Sequence, residues 1–449
     1  MKKISMRYGM LASLVLSSAV ITSAHAALPI TDPFYSYNGT TPLSSIPLGT
    51  VLKQRTVTYH LAGVPTAVTA LQLLYRTNNA QKQAVVNVTS ILKSPVSNGK
   101  AISYQSAYDS LNPYDSPSQV IAGDRDITKA FNLGTFIYSA ESIPLGALVL
   151  AGYNIIIPDT EGVTADFAVG PEEGMTTLDS IRASLNTATT GLTPTSKVVM
   201  IGYSGGAIGT NWAAQLAPSY APDVNKQLVG AAYGGLLIDP IHNLDYVDGS
   251  IVWGGVAPAA LVGIARAYNV DLTPYLNSQG LAVVKDIQDQ SLIYILPKYL
   301  GLKWETLLKP VYATAWSNYL KTGAIDSSFK SLVDAANTIN AGQYASPTIP
   351  IYFTQGSVGV LNGTFKANAG DGVMLAEDAR SLVQKFCKAG TNIVYTEVPF
   401  EHVGALAAWS VGMLPWLNDR FAGKAAPNNC LLAALLLPPG RSLAPVVIK

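Results

Sequence analysis

Lys197-Val198-Val199-Met200-Ile201-Gly202-Tyr203-Ser204-Gly205-Gly206-Ala207-Ile208-Gly209-Thr210-Asn211-Trp212 reads as a strand that runs without a break into a helix. Val198 to Ile201 is apolar at every position, the pattern of a strand buried on both faces inside a parallel sheet. Ala207 onward has a helical pattern. Between them Gly202-Tyr203-Ser204-Gly205-Gly206 fits G-x-S-x-G. In a sharp strand-to-helix turn a serine is forced into a strained conformation with its hydroxyl exposed, and a β-carbon on either side would clash. The strand before the pentapeptide and the helix after it carry the reading, because the pentapeptide alone is a weak signal in a chain with 38 glycines. Ser204 is the candidate nucleophile. The Gly205 N–H, at the start of the helix, is placed to stabilise an oxyanion.

Outward from this turn, short β-branched runs alternate with helical patterns. Strands are expected over Leu71–Arg76, Ala84–Leu92, Ala101–Tyr104, Tyr153–Pro158, Lys197–Gly202, Leu228–Gly234, Ile351–Thr354 and Asn392–Val398. Helices are expected over Met175–Leu185, Ala207–Leu216 and Leu375–Lys388. Such alternation argues for a doubly wound α/β domain. With a serine elbow in the middle, it argues for an α/β-hydrolase fold: a mostly parallel sheet with helices on both faces. From about Pro240 to Pro347 strand signals fade, and helices are expected over Pro258–Tyr268, Leu281–Leu300 and Trp304–Leu320. The expected layout is a core over 27–240 and 347–449 with a helical cap inserted over 241–346. The cap's large apolar residues exceed what so small a unit can hide. Some, Ile293 and Leu296 among them, are expected to face a ligand. The apolar tail Leu431–Leu437 is expected to pack against the rest.

A serine hydroxyl needs a base. In this fold the order is serine, acid, histidine, with the histidine after the last strand. His60 precedes Ser204, and His242 follows it too closely to leave room for the remaining strands and an acid. His402, in Pro399-Phe400-Glu401-His402, directly follows the last expected strand and is the candidate base. Glu401 is adjacent to it, a spacing that seldom lets two side chains meet. The acid belongs after Ile351–Thr354, but Gln355-Gly356-Ser357-Val358-Gly359 has no carboxylate. Asp371 is the first one reached and is the candidate. Asp378, inside the next helix, is expected to face solvent.

The chain opens with Lys2, Lys3 and Arg7, an apolar run from Met10 to Ile21, and Ala24-His25-Ala26. This is the layout of a cleavable secretory signal over 1–26. Without it, 29 cations against 28 anions become 26 against 28. That balance offers no attraction to nucleic acid or anionic membrane. Charged residues make up 13% and hydrophobic ones 49%, which implies a large core. Cys387 and Cys430 are the only cysteines, and in an exported chain they are expected to pair. No metal ligands cluster near them.

Taken together these residues resemble the secretory lipase family, the group that includes fungal lipase A-like enzymes. Asp32-Pro33-Phe34-Tyr35 and Gly49-Thr50-Val51-Leu52 look like its entry segment, and Leu74-Tyr75-Arg76-Thr77 like its first sheet region. Asp159-Thr160-Glu161-Gly162 and Leu178-Asp179-Ser180-Ile181-Arg182-Ala183 resemble its most recognisable block. The nucleophile elbow and the run Leu382–Cys387 with Gly390 complete the set. Ser103-Tyr104-Gln105 leading to Tyr108-Asp109-Ser110 resembles the loop where the family places an oxyanion-hole aspartate, which maps to Asp109. A neutral, protonated Asp109 is needed for that role, and burial raises a carboxyl's pKa in that direction. Tyr108 offers its backbone N–H as the alternative donor. The resemblance implies a triacylglycerol lipase or broad esterase acting on lipid esters, with no cofactor and no metal. Two rivals share the fold: a carboxylesterase or peptidase of small substrates, and a catalytically silent surface binding protein.

Overall fold

The computed structural model describes residues 27–123, 134–365 and 370–448. Residues 1–26, where the secretory signal is expected, lie outside them. Among the described residues nine strands form one sheet: β1 (Val51–Leu61), β2 (Val64–Asn78), β3 (Ala84–Leu92), β4 (Ala101–Gln105), β5 (Asn154–Pro158), β6 (Val198–Tyr203), β7 (Leu228–Gly234), β8 (Ile351–Gly356) and β9 (Ile393–Val398). Their order is β1-β2-β3-β5-β4-β6-β7-β8-β9, antiparallel up to the β3/β5 pair and parallel beyond it. The eight expected strands are all present. The first one, β1, escaped the sequence reading, and it pairs with β2 in a long hairpin at the sheet edge.

The helices are α1 (Pro117–Ala122), α2 (Gly134–Leu150), α3 (Gly170–Leu185), α4 (Gly205–Tyr220), α5 (Pro222–Asn225), α6 (Pro240–Val247), α7 (Val256–Ala267), α8 (Ser278–Ile287), α9 (Leu292–Lys298), α10 (Pro310–Thr322), α11 (Lys330–Thr338), α12 (Ala376–Lys388), α13 (His402–Phe421) and α14 (Cys430–Leu436). Alternation along β6 shows why its run is apolar throughout. Val198 and Met200 pack with Leu178 of α3, Trp212 of α4 and Leu382 of α12. Val199 and Ile201 point the other way, onto Ile121 of α1, Tyr138 of α2 and Trp409 of α13. Both faces of the sheet are thus covered, and the strand has no polar side to show. None of the described helices is long and apolar enough to cross a membrane.

Between β7 and β8 the chain forms α6 to α11 and no strand. Two helices expected there as single pieces are each broken. Leu281–Leu300 is α8 and α9, parted at 288–291, where backbone groups turn outward: the Leu111 N–H donates to Gln290 O at 3.0 Å and the Leu292 N–H to Asp109 O at 2.9 Å. Trp304–Leu320 is a 3₁₀ turn, Trp304–Leu307, followed by α10. Pro310 forces extended backbone at Lys309 (ψ 152°), so the helix restarts there.

Cys387 and Cys430 are joined in a disulfide. It holds the tail where Asn429 covers the exposed edge of β9: the Asn429 N–H donates to Ile393 O, and its side chain bonds both the N–H and C=O of Tyr395. This caps an edge strand that would otherwise offer free backbone groups. The tail packs less fully than its sequence suggests. Ala433 and Leu437 touch the core, whereas Leu431, Leu432, Leu435 and Leu436 are exposed. Replacing both cysteines by alanine should lower the unfolding free energy by up to about 4 kcal/mol, read from guanidinium titration. An unchanged midpoint would show that Asn429 holds the edge unaided.

Candidate active site

Ser204 lies between the end of β6 and the first turn of α4 with φ 56° and ψ −122°, a strained backbone for a residue with a side chain. The glycines around it have a steric cause. A β-carbon at Gly202 would sit 2.2 Å from Gly206 O, and one at Gly206 would sit 2.1 Å from Gln105 O. The turn is therefore closed onto both itself and the end of β4.

His402 opens α13. With its Nδ1–H donated to Asp371 Oδ2 at 2.8 Å, its Nε2 accepts from Ser204 Oγ, also at 2.8 Å. Asp371 is fully buried and held from four sides. It accepts from Gln355 Nε2 at 2.9 Å, from the Val373 and Met374 N–H groups at 3.1 and 2.7 Å, and from the imidazole, while its own C=O accepts the His402 N–H. Gly356, at the end of β8, makes room for it, since a β-carbon there would meet the Asp371 Cβ at 2.7 Å. The long excursion after β8 thus brings the carboxylate back to the strand end. Such a chain of hydroxyl, imidazole and buried carboxylate can activate a serine for attack on a carbonyl.

Asp109 sits across from Gly205. A β-carbon at Gly205 would fall 1.6 Å from Asp109 Oδ1, so only glycine fits there. Asp109 itself has φ 39° and is buried. Burial pushes its carboxyl up to about 7, helped by the neighbouring Glu141 and opposed by His402. Tyr108 is turned inward, its hydroxyl accepting the Glu161 N–H at 3.0 Å. Ser204, Gly205 and Asp109 share one wall of an apolar cavity of about 100 Å³. Most of the remaining wall comes from α6 to α11, with Leu244, Trp253, Leu261, Leu292, Trp316 and Ala336 among its residues. Trp253 also meets the His402 ring edge-to-face at 5.4 Å. Ile293 and Leu296, expected to face the ligand, do not line the cavity. Ile295, Ile287 and Leu307 are buried in the same core as the strands β4 to β8 and do not line the cavity.

The model of the secretory lipase family matches residues 128–429, more than half of the chain. The chain belongs to the secretory lipase family. It is 29% identical over 412 residues to lipase 5 of Candida albicans, covering 90% of this chain and 83% of that one. It is also 28% identical over 416 residues to a Mycobacterium tuberculosis protein described as a probable inactive lipase, covering 88% and 83%. Among solved structures it resembles Candida antarctica lipase A in its closed state, with a TM-score of 0.74, 25% identity, and coverage of 94% of this chain and 92% of that one. The fold is that of the lipase α/β-hydrolases.

A further expectation is corrected for this family member. Asp378 does not face solvent: it is buried, and its Oδ1 lies 2.9 Å from His242 Nδ1. The pair joins α12 to α6, with Asp239 Oδ2 3.8 Å from the same nitrogen. Helical position alone could not reveal this, because the partner lies 136 residues away. Sequence reasoning also passed over Gln355, which orients Asp371, and Tyr203, whose hydroxyl donates to His402 O at 2.6 Å. Glu401 does not reach the imidazole and instead caps α13 through the Val403 and Gly404 N–H groups.

Buried carboxyls surround this site. Desolvation pushes Asp109, Glu141 and Asp159 up to about 7 and Asp166 to about 6, and it raises Glu161, Glu172 and Glu173 as well. Acids raised on folding bind protons that the unfolded chain releases near pH 4. Their contribution is fully present below that pH and is lost as pH rises through the folded values. The Tm should therefore fall between about pH 4.5 and 8 in scanning calorimetry. A Tm that climbs across this window would contradict the assignment.

Proposed function

We propose that this chain is a secreted serine-dependent hydrolase of lipid esters, of the triacylglycerol lipase type. The observation that carries the reading is the hydrogen-bonded chain Ser204–His402–Asp371 opening into an apolar cavity. Ser204 Oγ attacks the ester carbonyl while His402 Nε2 takes its proton. Asp371 holds the imidazole in the tautomer that accepts and stabilises the imidazolium. The carbonyl oxygen gathers charge and receives hydrogen bonds from the Gly205 N–H and from Asp109. The C–O bond breaks as His402 returns the proton to the leaving alcohol, leaving an acyl-enzyme. Water, deprotonated by His402, then releases the fatty acid. No cofactor enters these steps.

The cavity favours lipid over small esters, since each buried methylene is worth about 0.8 kcal/mol. In this reading residues 241–346 form the cap that encloses the acyl chain. The family and the signal-like residues 1–26 support export. The hydrogen-bonded contact of Ser204, His402 and Asp371 supports the enzyme over a silent binding protein, which needs no such chain.

Ser204→Ala and His402→Ala should each lower kcat by on the order of 10⁴ or more, measured on p-nitrophenyl esters and emulsified triglyceride, and Asp371→Ala somewhat less. Asp378→Asn should change Tm and leave kcat within about twofold, as expected for a residue outside a unit that acts together. Full activity in Asp371→Ala with loss in Asp378→Asn would reverse the acid assignment.

The second test concerns the cavity wall. Leu261→Asp and Ala336→Trp should cut kcat/KM for long-chain p-nitrophenyl esters by about tenfold or more, and for acetate by about twofold or less. Equal loss on both substrates would favour a small-ester carboxylesterase.

A further inference from the structure

The loop of Asp109 is gripped by carboxylates from two other elements. On one side Glu141, from α2, accepts from Ser106 Oγ and from the Ala107 N–H at 3.0 Å. On the other side the Glu161 carboxylate, after β5, accepts the Ser110 N–H at 3.3 Å. The residue between them has the positive φ. Neither contact touches Ser204, His402 or Asp371, and the steps proposed above use neither acid.

The donors are distributed unequally. Glu141 receives hydrogen bonds from Ser106, the Ala107 N–H and the Tyr104 hydroxyl, all of which favour its ionised form. Asp109 is favoured as an anion only by its own backbone and by the charge of His402. A negative charge on Glu141 opposes ionisation of the buried Asp109, as like charges disfavour double ionisation. The donors hold both oxygens of Glu141, so its carboxylate is fixed beside the turn that carries Asp109. We propose that Glu141 is a positioning residue of the oxyanion hole, which fixes the 106–110 turn and keeps Asp109 in the acid form that donates a hydrogen bond. The proposal rests on the serine-hydrolase reading above and adds to it a group that touches neither substrate nor triad.

The titratable neighbours point the same way. Asp109 faces Glu141 from α2, Glu161 from the β5 loop, Glu173 from α3 and His402 from α13. Glu141 faces Tyr104 and Tyr138, whose hydroxyls are both raised by burial and stay neutral. Arg266 is the cation facing Glu161, and its guanidinium is engaged by the backbone carbonyls of Leu111, Thr164, Ala165 and Gln288. Asp109 and Glu141 each lie at about 7. Above that range Asp109 loses its proton and repels the oxyanion, so turnover falls on the alkaline side.

The test is the pH profile of kcat on p-nitrophenyl butyrate, with the uncatalysed rate subtracted, for the wild type, Glu141→Gln and Asp109→Asn. Glutamine still accepts the Ala107 N–H but carries no charge, so the alkaline limb should move to lower pH by about one unit. Asparagine donates without titrating, so Asp109→Asn should lose that limb whatever its absolute rate. If Glu141→Gln does not fold, Tyr104→Phe, which removes a donor that favours the Glu141 anion, should move the limb the same way, and an unmoved limb there overturns the proposal. A Glu141→Gln profile lowered equally at every pH, with the limb unmoved, would make Glu141 a structural brace and overturn the proposal. So would an alkaline limb that survives in Asp109→Asn, or a wild type with no limb. Ser204→Ala run alongside separates the two levels: activity surviving there overturns the serine mechanism itself, and only the other outcomes bear on Glu141.

Discussion

The turn from β6 into α4 can exist only where no side chain occupies three volumes around Ser204. Backbone of the turn itself and of β4 fills the first two, and the Asp109 carboxyl fills the third, beside Gly205. The strain at Ser204, with φ 56°, is sustained because α4 and the sheet are both packed tightly against it. The serine hydroxyl is left facing the side on which His402 and the cavity lie. His402 comes from that side at the start of α13, and the cavity wall comes from the insertion.

The insertion contributes more than the wall of a pocket. Its break at 288–291 lies alongside residues 109–111 through two backbone hydrogen bonds, and Asn112 Nδ2 donates to Asp289 O. The Arg266 guanidinium, on α7, collects carbonyls from both sides of the same contact. At its other end, His242 on α6 meets Asp378 on α12, seven residues beyond Asp371. The helical layer is therefore fastened next to Asp109 on one side and next to Asp371 on the other.

What was legible in the sequence follows from what each signal depends on. Strands such as β5 and β6 announced themselves because they are buried on both faces and so carry unbroken apolar runs. β1 did not, since its residues Lys53, Arg55 and Thr58 lie at a half-exposed edge where period-two contrast is weak. The elbow and the serine–acid–histidine order placed Ser204, His402 and Asp371, whose positions relative to strand ends are set by the fold. The helix break at 288–291 is illegible because apolar periodicity continues across it, whereas the break before Pro310 is local, carried by the extended backbone the proline imposes on Lys309. Asp378 was misread because a helical wheel knows nothing of a histidine arriving from another helix. Glu141 and Glu161 left no trace in spacing at all. Buried carboxyls read as ordinary polar residues until their partners are known.

These facts together constrain how a bulky ester can reach Ser204. Swinging the whole helical segment away would break the Leu292 N–H to Asp109 O and Leu111 N–H to Gln290 O bonds, each worth about 0.5–1.5 kcal/mol net once water takes the partner's place. It would also remove one of three sets of contacts that hold the Asp109 turn, leaving those from Glu141 and Glu161. The α8–α9 junction thus belongs to the site's fixed frame. Variation in what the cavity admits falls instead to wall residues remote from that junction, on α7, α10 and α11, where Leu261, Trp316 and Ala336 can change size without touching the hydrogen bonds that hold Asp109.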